Sequence, residues 1–192
     1  ELAALNVVVS RRGAGTYVTS LASVNLFASM ELALHVDPSA YLHVLEARRI
    51  LEPAVATAAA VKLSPAQLVE LQELLERYSK SVARIETDGA NAEDIRSETI
   101  MLDERIHELL AEAHGNPVIV GILSSLRHVA RNQRELTILI PKALQQSVDE
   151  LSAIIAAVVA GDPLRAEAAM MRHVSSTDEA AREVLARTLP TR

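Results

Sequence analysis

Apolar residues recur at intervals of three or four along most of this chain, a spacing typical of helices that bury one face. Prolines and glycines interrupt the pattern and set the expected helix boundaries. Pro53 falls inside the first stripe, where it should kink or split the helix. The predicted helices cover residues 41–61, 65–87, 92–113, 118–136, 141–160 and 163–189. The sequence therefore predicts an all-α fold, an antiparallel bundle of about six or seven helices.

Capping signals support several of these boundaries. Ser64-Pro-Ala-Gln67 offers an N-cap serine, a proline at the first helical position and a glutamine in the capping-box position. Gly161-Asp-Pro163 predicts a turn in which one helix stops and the proline opens the last one.

The start of the chain departs from the helical pattern. Val7-Val-Val9 and the following Ser10-Arg-Arg-Gly-Ala-Gly-Thr-Tyr-Val18 predict two short strands joined by a tight basic turn. A basic hairpin ahead of a helical body is typical of the wing of a winged helix-turn-helix, whose arginines meet DNA phosphates or the minor groove.

The hairpin also suggests how the chain divides. Glu1-Leu-Ala-Ala-Leu5 looks like the end of a helix whose earlier turns are absent, and a short connecting helix is predicted over 24–34. The expected domains are residues 1–20, the remnant of a DNA-binding domain, and residues 21–192, a helical body.

Composition narrows the fold and the partners. The apolar fraction is 49% but aromatic residues make up only 2%, which suits packed aliphatic helices. The absence of cysteine excludes disulfides and thiolate metal sites and fits a cytoplasmic protein. No apolar run approaches the roughly 20 residues that span a bilayer, so no membrane partner is expected. Because the net charge is −6, any DNA contact should be local to the basic hairpin.

Three residues are candidates for a buried polar site. Asp103 and His107 lie four positions apart on one helix face, and His173 shares an inward stripe with Ala166 and Met170. A carboxylate and two imidazoles in a core suit a divalent transition metal. At this spacing, however, an Asp and a His more often form a pair on the helix surface or one that only supports other ligands, and His173 could simply be a core histidine hydrogen-bonded to a neighbour.

Arg48 is a second candidate. Arg48 and Arg49 cannot both point outward if Leu45 and Leu51 both point inward. An arginine near the core could clamp a carboxylate, whereas the simpler interpretation is an i,i+4 ion pair with Glu52. The remaining histidines are predicted to be surface or cap residues: His35, His43, His114 and His128.

Several of these segments resemble GntR-family transcription regulators of the FadR subgroup. The hairpin, Arg11-Arg-Gly-Ala-Gly-Thr-Tyr-Val18, resembles their wing. Glu46-Ala-Arg-Arg-Ile-Leu-Glu52, followed by an alanine-rich stretch, resembles the first core helix of their effector domain, called FCD.

Two later segments continue the resemblance. Asp103-Glu-Arg-Ile-His107 before Gly115-Asn-Pro is similar to the Asp-x-x-Phe-His…Gly-Asn-Pro signature of the FCD domain. Ala160-Gly-Asp and the stripe that ends at His173 are similar to its final segment. The resemblance implies a homodimeric, cytoplasmic DNA-binding regulator, most simply a repressor, that responds to a small carboxylate or a fatty-acid-like effector. It assigns DNA contact to Arg11, Arg12, Gly13, Gly15 and Thr16.

The resemblance also implies a metal and an effector site. Asp103, His107 and His173 would bind zinc, nickel or manganese, and together with Arg48 they would contact the effector. The family's fourth ligand, a histidine in a Glu-His pair, corresponds to Leu151, which cannot coordinate. Either Asp103, His107 and His173 alone hold the metal, which leaves an extra coordination position open, or the site no longer binds a metal.

Two other functions remain open at this point. A helical metal-dependent hydrolase could use Asp103, His107 and His173, although no general base stands out. A helical dimerisation module with a closed core would instead show continuous apolar packing between Arg48, His107 and His173.

Overall fold

A two-stranded hairpin and six helices make up the computed structural model, which describes residues 8–11, 13, 15–18, 41–88, 93–138 and 140–188. The strands are β1 (Val8–Arg11) and β2 (Gly15–Val18). The helices are α1 (Tyr41–Lys62), α2 (Pro65–Asp88), α3 (Glu93–His114), α4 (Pro117–Thr137), α5 (Pro141–Val159) and α6 (Pro163–Thr188). The predicted helical bundle is confirmed.

The hairpin pairs its strands antiparallel, with Val9 opposite Tyr17 and Arg11 opposite Gly15. Gly13 and Gly15 have φ angles of 79° and 99°, which side chains disfavour, so glycines allow the tight reversal here. Several predictions concern residues outside the described part of the chain. They are the helix end at residues 1–5, the DNA contact of Arg12, the domain boundary near residue 20, the connecting helix at 24–34 and the surface position of His35.

Helix α1 runs through Pro53 without a break, so Pro53 does not split the helix, which was one of the two effects expected of it. Proline removes one backbone donor but leaves the helix possible where packing holds both flanking turns. Pro53 is itself buried, between buried Glu52 and Val55. Thr57 Oγ1 donates a 3.0 Å hydrogen bond to the Pro53 carbonyl oxygen.

The predicted capping box at the start of α2 is confirmed. The Gln67 backbone N–H donates to Ser64 Oγ at 3.3 Å, and the Ser64 backbone N–H donates to Gln67 Oε1 at 3.1 Å. Each residue thereby satisfies a backbone donor that the first turn leaves unpaired.

The turn between α5 and α6 also forms as predicted. The Asp162 N–H donates to the Ala157 carbonyl and the Gly161 N–H to the Val158 carbonyl, each at 3.0 Å, which is the Schellman pattern. Gly161 supplies the positive φ, 65°, that this pattern needs. Asp162 Oδ1 then accepts a hydrogen bond from the Arg165 N–H and caps α6.

Helix α1 lies at the centre of the bundle, because it packs against α3, α4, α5 and α6. The core between the helices is aliphatic, with Leu71, Ile106, Leu110 and Leu151 fully buried. None of the described helices combines the length and apolar character that crossing a bilayer requires. The fold thus surrounds α1 with four helices, and polar residues on its inner face need partners from those helices.

Candidate metal and effector site

The three predicted metal ligands meet in the core. Asp103 and His107 lie on the inward face of α3, His173 lies on that of α6, and each is at most 1% exposed. One ligand atom from each residue lies within 4.8 Å of the others. The expected burial of all three residues is confirmed, and the fold brings together residues that are far apart in the sequence.

The two arginines of α1 separate as the sequence predicts. Arg49 is exposed and lies 3.7 Å from Asp178 Oδ2, whereas Arg48 is buried. Arg48 Nε donates a 2.7 Å hydrogen bond to Glu52 Oε1. The i,i+4 ion pair therefore forms, but in the core, where a bonded partner matters most.

Glu52 connects this ion pair to the histidines. Its Oε2 lies 2.9 Å from His107 Nδ1 and 3.6 Å from Arg127 Nη2. Burial alone would raise the pKa of Glu52, but the charges of Arg48 and Arg127 outweigh it and hold this pKa well below its usual range. Glu52 is therefore a buried carboxylate that is charged at neutral pH. Because Glu52 lies between Arg48 and His107, the continuous apolar packing of a closed dimerisation module is not observed.

His107 is neutral at neutral pH. Burial lowers the pKa of its imidazole to about 4, more than the charge of Glu52 raises it. A neutral imidazole that faces a carboxylate with Nδ1 carries its proton there, because the carboxylate can only accept. The lone pair of His107 is then on Nε2.

His173 also has a carboxylate beside Nδ1, and there the contact is a hydrogen bond. Its Nδ1 lies 3.1 Å from Glu150 Oε2, which also accepts a 2.7 Å hydrogen bond from Ser176 Oγ. Burial would raise the pKa of Glu150, but hydrogen bonds from His173, Ser176 and Gln146 lower it. His173 Nδ1 is therefore the donor in this hydrogen bond, and its Nε2 is the ring nitrogen that points away from Glu150.

The Nε2 atoms of the two histidines lie next to each other. His107 Nε2 and His173 Nε2 are 3.2 Å apart, and Asp103 Oδ2 lies 3.8 Å from His107 Nε2. Two nitrogens at this distance need either a proton or a metal ion between them, because two lone pairs would repel. Two imidazoles on one tetrahedral zinc have nitrogens about 3.3 Å apart, since each Zn–N bond is about 2.05 Å. The donor set therefore fits a divalent metal, with carboxylates behind both histidines as such sites usually have.

A cavity of about 290 Å³ opens beside Asp103, between α2, α3, α5 and α6. Asp103 and Glu150 line it, whereas Arg48, His107 and His173 do not. Four acidic side chains face a single basic one, Lys142, across this cavity. Hydroxyl groups and apolar side chains form the rest of the wall. The cavity and the histidines therefore share only Asp103 and the Glu150–His173 contact.

Sequence reasoning missed three residues of this site as functional partners: Glu52 as a partner of His107, Arg127, and Glu150 as a partner of His173. Glu52 and Arg127 both occupy apolar stripes, which is the one signal that could have found them. Arg127 follows Leu123 and Leu126 on the buried face of α4. The other described histidines are not part of the site: His43 and His128 are exposed, and His114 ends α3.

Residues 43–176 match the model of the FCD domain. An Escherichia coli (strain K12) protein named as a candidate L-lactate dehydrogenase operon regulatory protein is 29% identical over 183 residues, which are 91% of this chain. The chain spans 66% of the length of that relative. The transcriptional regulator LutR of Bacillus subtilis (strain 168) is also 29% identical, over 93% of this chain and 78% of its own length. Among solved structures, Streptococcus agalactiae GntR has the same fold, with a TM-score of 0.71 at 24% identity over 93% of this chain and 77% of that one.

Proposed function

Because this chain belongs to the FCD domain family of GntR-type regulators, we propose that it is the sensor part of a ligand-responsive bacterial transcription regulator. The hairpin would be the wing that holds operator DNA through Arg11, Arg12, Gly13, Gly15 and Thr16. Support for this role is its two-stranded form and its two arginines in an otherwise acidic chain. The relatives are named as regulators, so the alternative of a metal-dependent hydrolase is not favoured.

The observation that carries the proposal is the pair of imidazole nitrogens that face each other at 3.2 Å in the core. Asp103, His107 and His173 would hold zinc, nickel or manganese there. Three protein ligands leave at least one coordination position open, as in sites that bind a water or a ligand. When bound, the ion would supply positive charge at the inner end of the cavity.

The effector would be a small carboxylate that enters the cavity beside Asp103. The wall carries more negative than positive charge, so a carboxylate is repelled unless a divalent ion offsets it. Lys142 supplies the positive charge of the wall itself. Arg48 does not line this cavity; its Nη2 is a buried donor with no hydrogen-bond partner among the described residues, and an effector carboxylate would reach it only if the core beside α1 opened.

The size of the cavity favours a small effector over a fatty-acid-like one. A volume of about 290 Å³ lies at the lower end of the range for ligand pockets, about 300 to 1,000 Å³. The name of the Escherichia coli relative refers to an L-lactate dehydrogenase operon, so L-lactate is the first carboxylate to test.

Effector binding would act on DNA through the arrangement of the helices. A ligand in the cavity contacts α2, α3, α5 and α6 at once, and it favours the arrangement that it fits best. In a homodimer, a small rigid-body change would alter the spacing of the two DNA-binding heads and thus the affinity for an operator. Exposed apolar side chains on neighbouring helices, such as Ile50 of α1 and Leu164 of α6, support a dimer.

The test is a calorimetric titration of the complete regulator with Zn²⁺, Ni²⁺ or Mn²⁺, followed by L-lactate and a panel of other small carboxylates. We expect one metal per chain and carboxylate binding that disappears with EDTA. Replacing His173 by alanine should abolish both, whereas replacing exposed His128 should change neither. Carboxylate binding that persists without metal would contradict this proposal.

Operator binding is measured on the same protein. A carboxylate from the panel should change the affinity for operator DNA, and replacing both hairpin arginines by alanine should weaken it. Operator affinity that depends on neither change would refute the regulatory role.

A further inference from the structure

We propose that Glu52 is a positioning residue, which fixes the orientation and tautomer of His107 so that Nε2 faces Asp103 and His173. Glu52 touches none of the cavity and would not contact the metal itself. The inference rests on the proposed function for its metal readout, whereas the tautomer of His107 can be measured without any metal.

Glu52 is itself held from two sides. Arg48 Nε donates to Oε1 at 2.7 Å, and Arg127 Nη2 lies 3.6 Å from Oε2. Arg48 comes from one turn earlier on α1 and Arg127 from α4. Both arginines are buried, so little water weakens these contacts. The two arginines therefore fix the position of the carboxylate independently of His107.

Glu52 Oε2 also lies against His107 Nδ1, the ring nitrogen that does not face the other histidine, in a close contact that is not aligned as a hydrogen bond. The distance from Oε2 to His107 Nδ1 is 2.9 Å, and His107 Nε2 lies 3.2 Å from His173 Nε2. A carboxylate held by two arginines can only accept, so it selects the imidazole with its proton on Nδ1. The opposite tautomer would place two acceptors against each other at Nδ1 and would remove the lone pair from Nε2.

A purely structural role for Glu52 predicts something different. If Glu52 only neutralised Arg48, any carboxylate within reach of Arg48 would serve. Aspartate at position 52 keeps a negative charge on the same face of α1 as Arg48. Its side chain is one methylene shorter, so its carboxylate should not reach His107. Replacing Glu52 by aspartate therefore separates positioning from charge balance, and it keeps a buried anion beside the arginines so that the protein folds.

The experiment compares Glu52→Asp and Glu52→Gln with Glu46→Gln. Glu46 is the matched control, because it also lies on α1 and has its Oε2 3.9 Å from a histidine Nδ1, that of His43, but both side chains are exposed. The tautomer of His107 is read from the nitrogen chemical shifts of its ring in the metal-free protein. The affinity for Zn²⁺ is measured by competition with a chromophoric chelator.

We expect wild-type His107 to be protonated on Nδ1 and both Glu52 variants to lose this preference. Their Zn²⁺ affinity should fall by about 10- to 100-fold, the usual effect of losing a carboxylate behind a metal-binding histidine. Glu46→Gln should change neither quantity. If wild-type protein binds no Zn²⁺, the proposed metal site fails, but the tautomer still decides the role of Glu52. The inference is overturned by a wild-type His107 protonated on Nε2, or by Glu52→Asp retaining both the tautomer and the metal affinity.

Discussion

Each histidine of the cluster has a carboxylate beside its Nδ1, but the two carboxylates lie in very different surroundings. His107 backs onto Glu52, which is enclosed by two buried arginines on α1 and α4. His173 backs onto Glu150, which is partly exposed, accepts hydrogen bonds from Ser176 and Gln146, and lines the cavity. One side of the cluster is thus closed by fixed charges, and the other is open to a ligand.

This difference indicates that the closed side contributes mainly to stability and the open side mainly to ligand and metal binding. The closed side depends on charge balance in the core, where an unpaired ion is costly, so changes there should affect stability strongly. The open side depends on ordinary hydrogen bonds near water, each worth about 1 kcal/mol, so changes there should mainly affect ligand and metal binding.

The largest effect is expected from Arg48→Met. Removing one partner of a buried ion pair leaves Glu52 charged in the core, with Arg127 at 3.6 Å as its remaining cation. Such losses usually cost about 3 to 5 kcal/mol, so we expect the free energy of unfolding to fall by about 3 kcal/mol in urea titrations. Arg49→Met, one residue away and exposed, should change it by less than about 0.5 kcal/mol. Equal effects of the two substitutions would contradict a closed, charge-balanced side.

Acidification should weaken the metal-free protein through the same side. The pKa of His107 falls from 6.5 to about 4 on folding, so between these pH values the unfolded chain binds a proton that the folded chain does not. Stability therefore rises with pH in this window and is lost as the pH falls from 6.5 towards 4. Between pH 7 and pH 5 we expect a loss of about 2 kcal/mol. The lowered pKa of Glu52 has the same sign, since its contribution is present above 4.5 and is lost only in stronger acid.

The measurement is urea unfolding in EDTA across this pH range. His107→Gln provides the control, because glutamine keeps a donor towards Glu52 but does not titrate. Its stability should depend less steeply on pH between 7 and 5. An unchanged slope would show that another group controls acid unfolding.

On the open side, Glu150→Gln should cost only about 1 kcal/mol. The substitution weakens the contacts with His173 and Ser176, but the side chain is near water and an amide oxygen still accepts. Metal affinity should fall although stability hardly changes, and thermal melts with and without Zn²⁺ measure both. Glu179→Gln, an exposed position on the same cavity wall, serves as the control. A loss of stability as large as that of Arg48→Met would erase the contrast between the two sides.

The smallest effect is expected from Lys142→Met at the cavity. Lys142 is exposed and makes no hydrogen bond or ion pair within the part of the chain that the structure describes, so stability should stay within about 0.5 kcal/mol. Carboxylate affinity, measured by calorimetry with metal present, should weaken by about two- to fivefold, since an exposed charge contributes up to about 1 kcal/mol. Replacing Lys80, which lies on α2 outside the cavity lining, should leave this affinity unchanged. Undiminished affinity in Lys142→Met would place the carboxylate elsewhere.

The sequence predicts positions on helices better than contacts between them. Periodicity places Asp103, His107 and His173 on inward faces because burial of one face is a local property of each helix. It identifies Glu52 as a neighbour of Arg48 for the same reason. It cannot pair Glu52 with His107, because that contact depends on how α1 and α3 pack.

Two further errors have similar causes. The cavity cannot be predicted from the sequence, because four helices form its wall and no single helix has a residue pattern that indicates it. Pro53 is predicted to kink or split α1, since proline disfavours an isolated helix, but packing around the centre of the bundle stabilises a helix that continues through it.

Asp162 ends α5 with its backbone N–H and begins α6 with its side chain, so one residue joins the two helices. Glu150 and His173 lie almost equally far from this joint, one on each arm. The distances of Glu150 and His173 from Asp162 along the chain are therefore constrained. A residue inserted or deleted between Asp162 and either of them would rotate the helix beyond that point by about 100° and separate the two side chains. Insertions and deletions between Glu150 and His173 should consequently be absent from any variant that retains the site, even where exposed residues of the two helices are substituted freely.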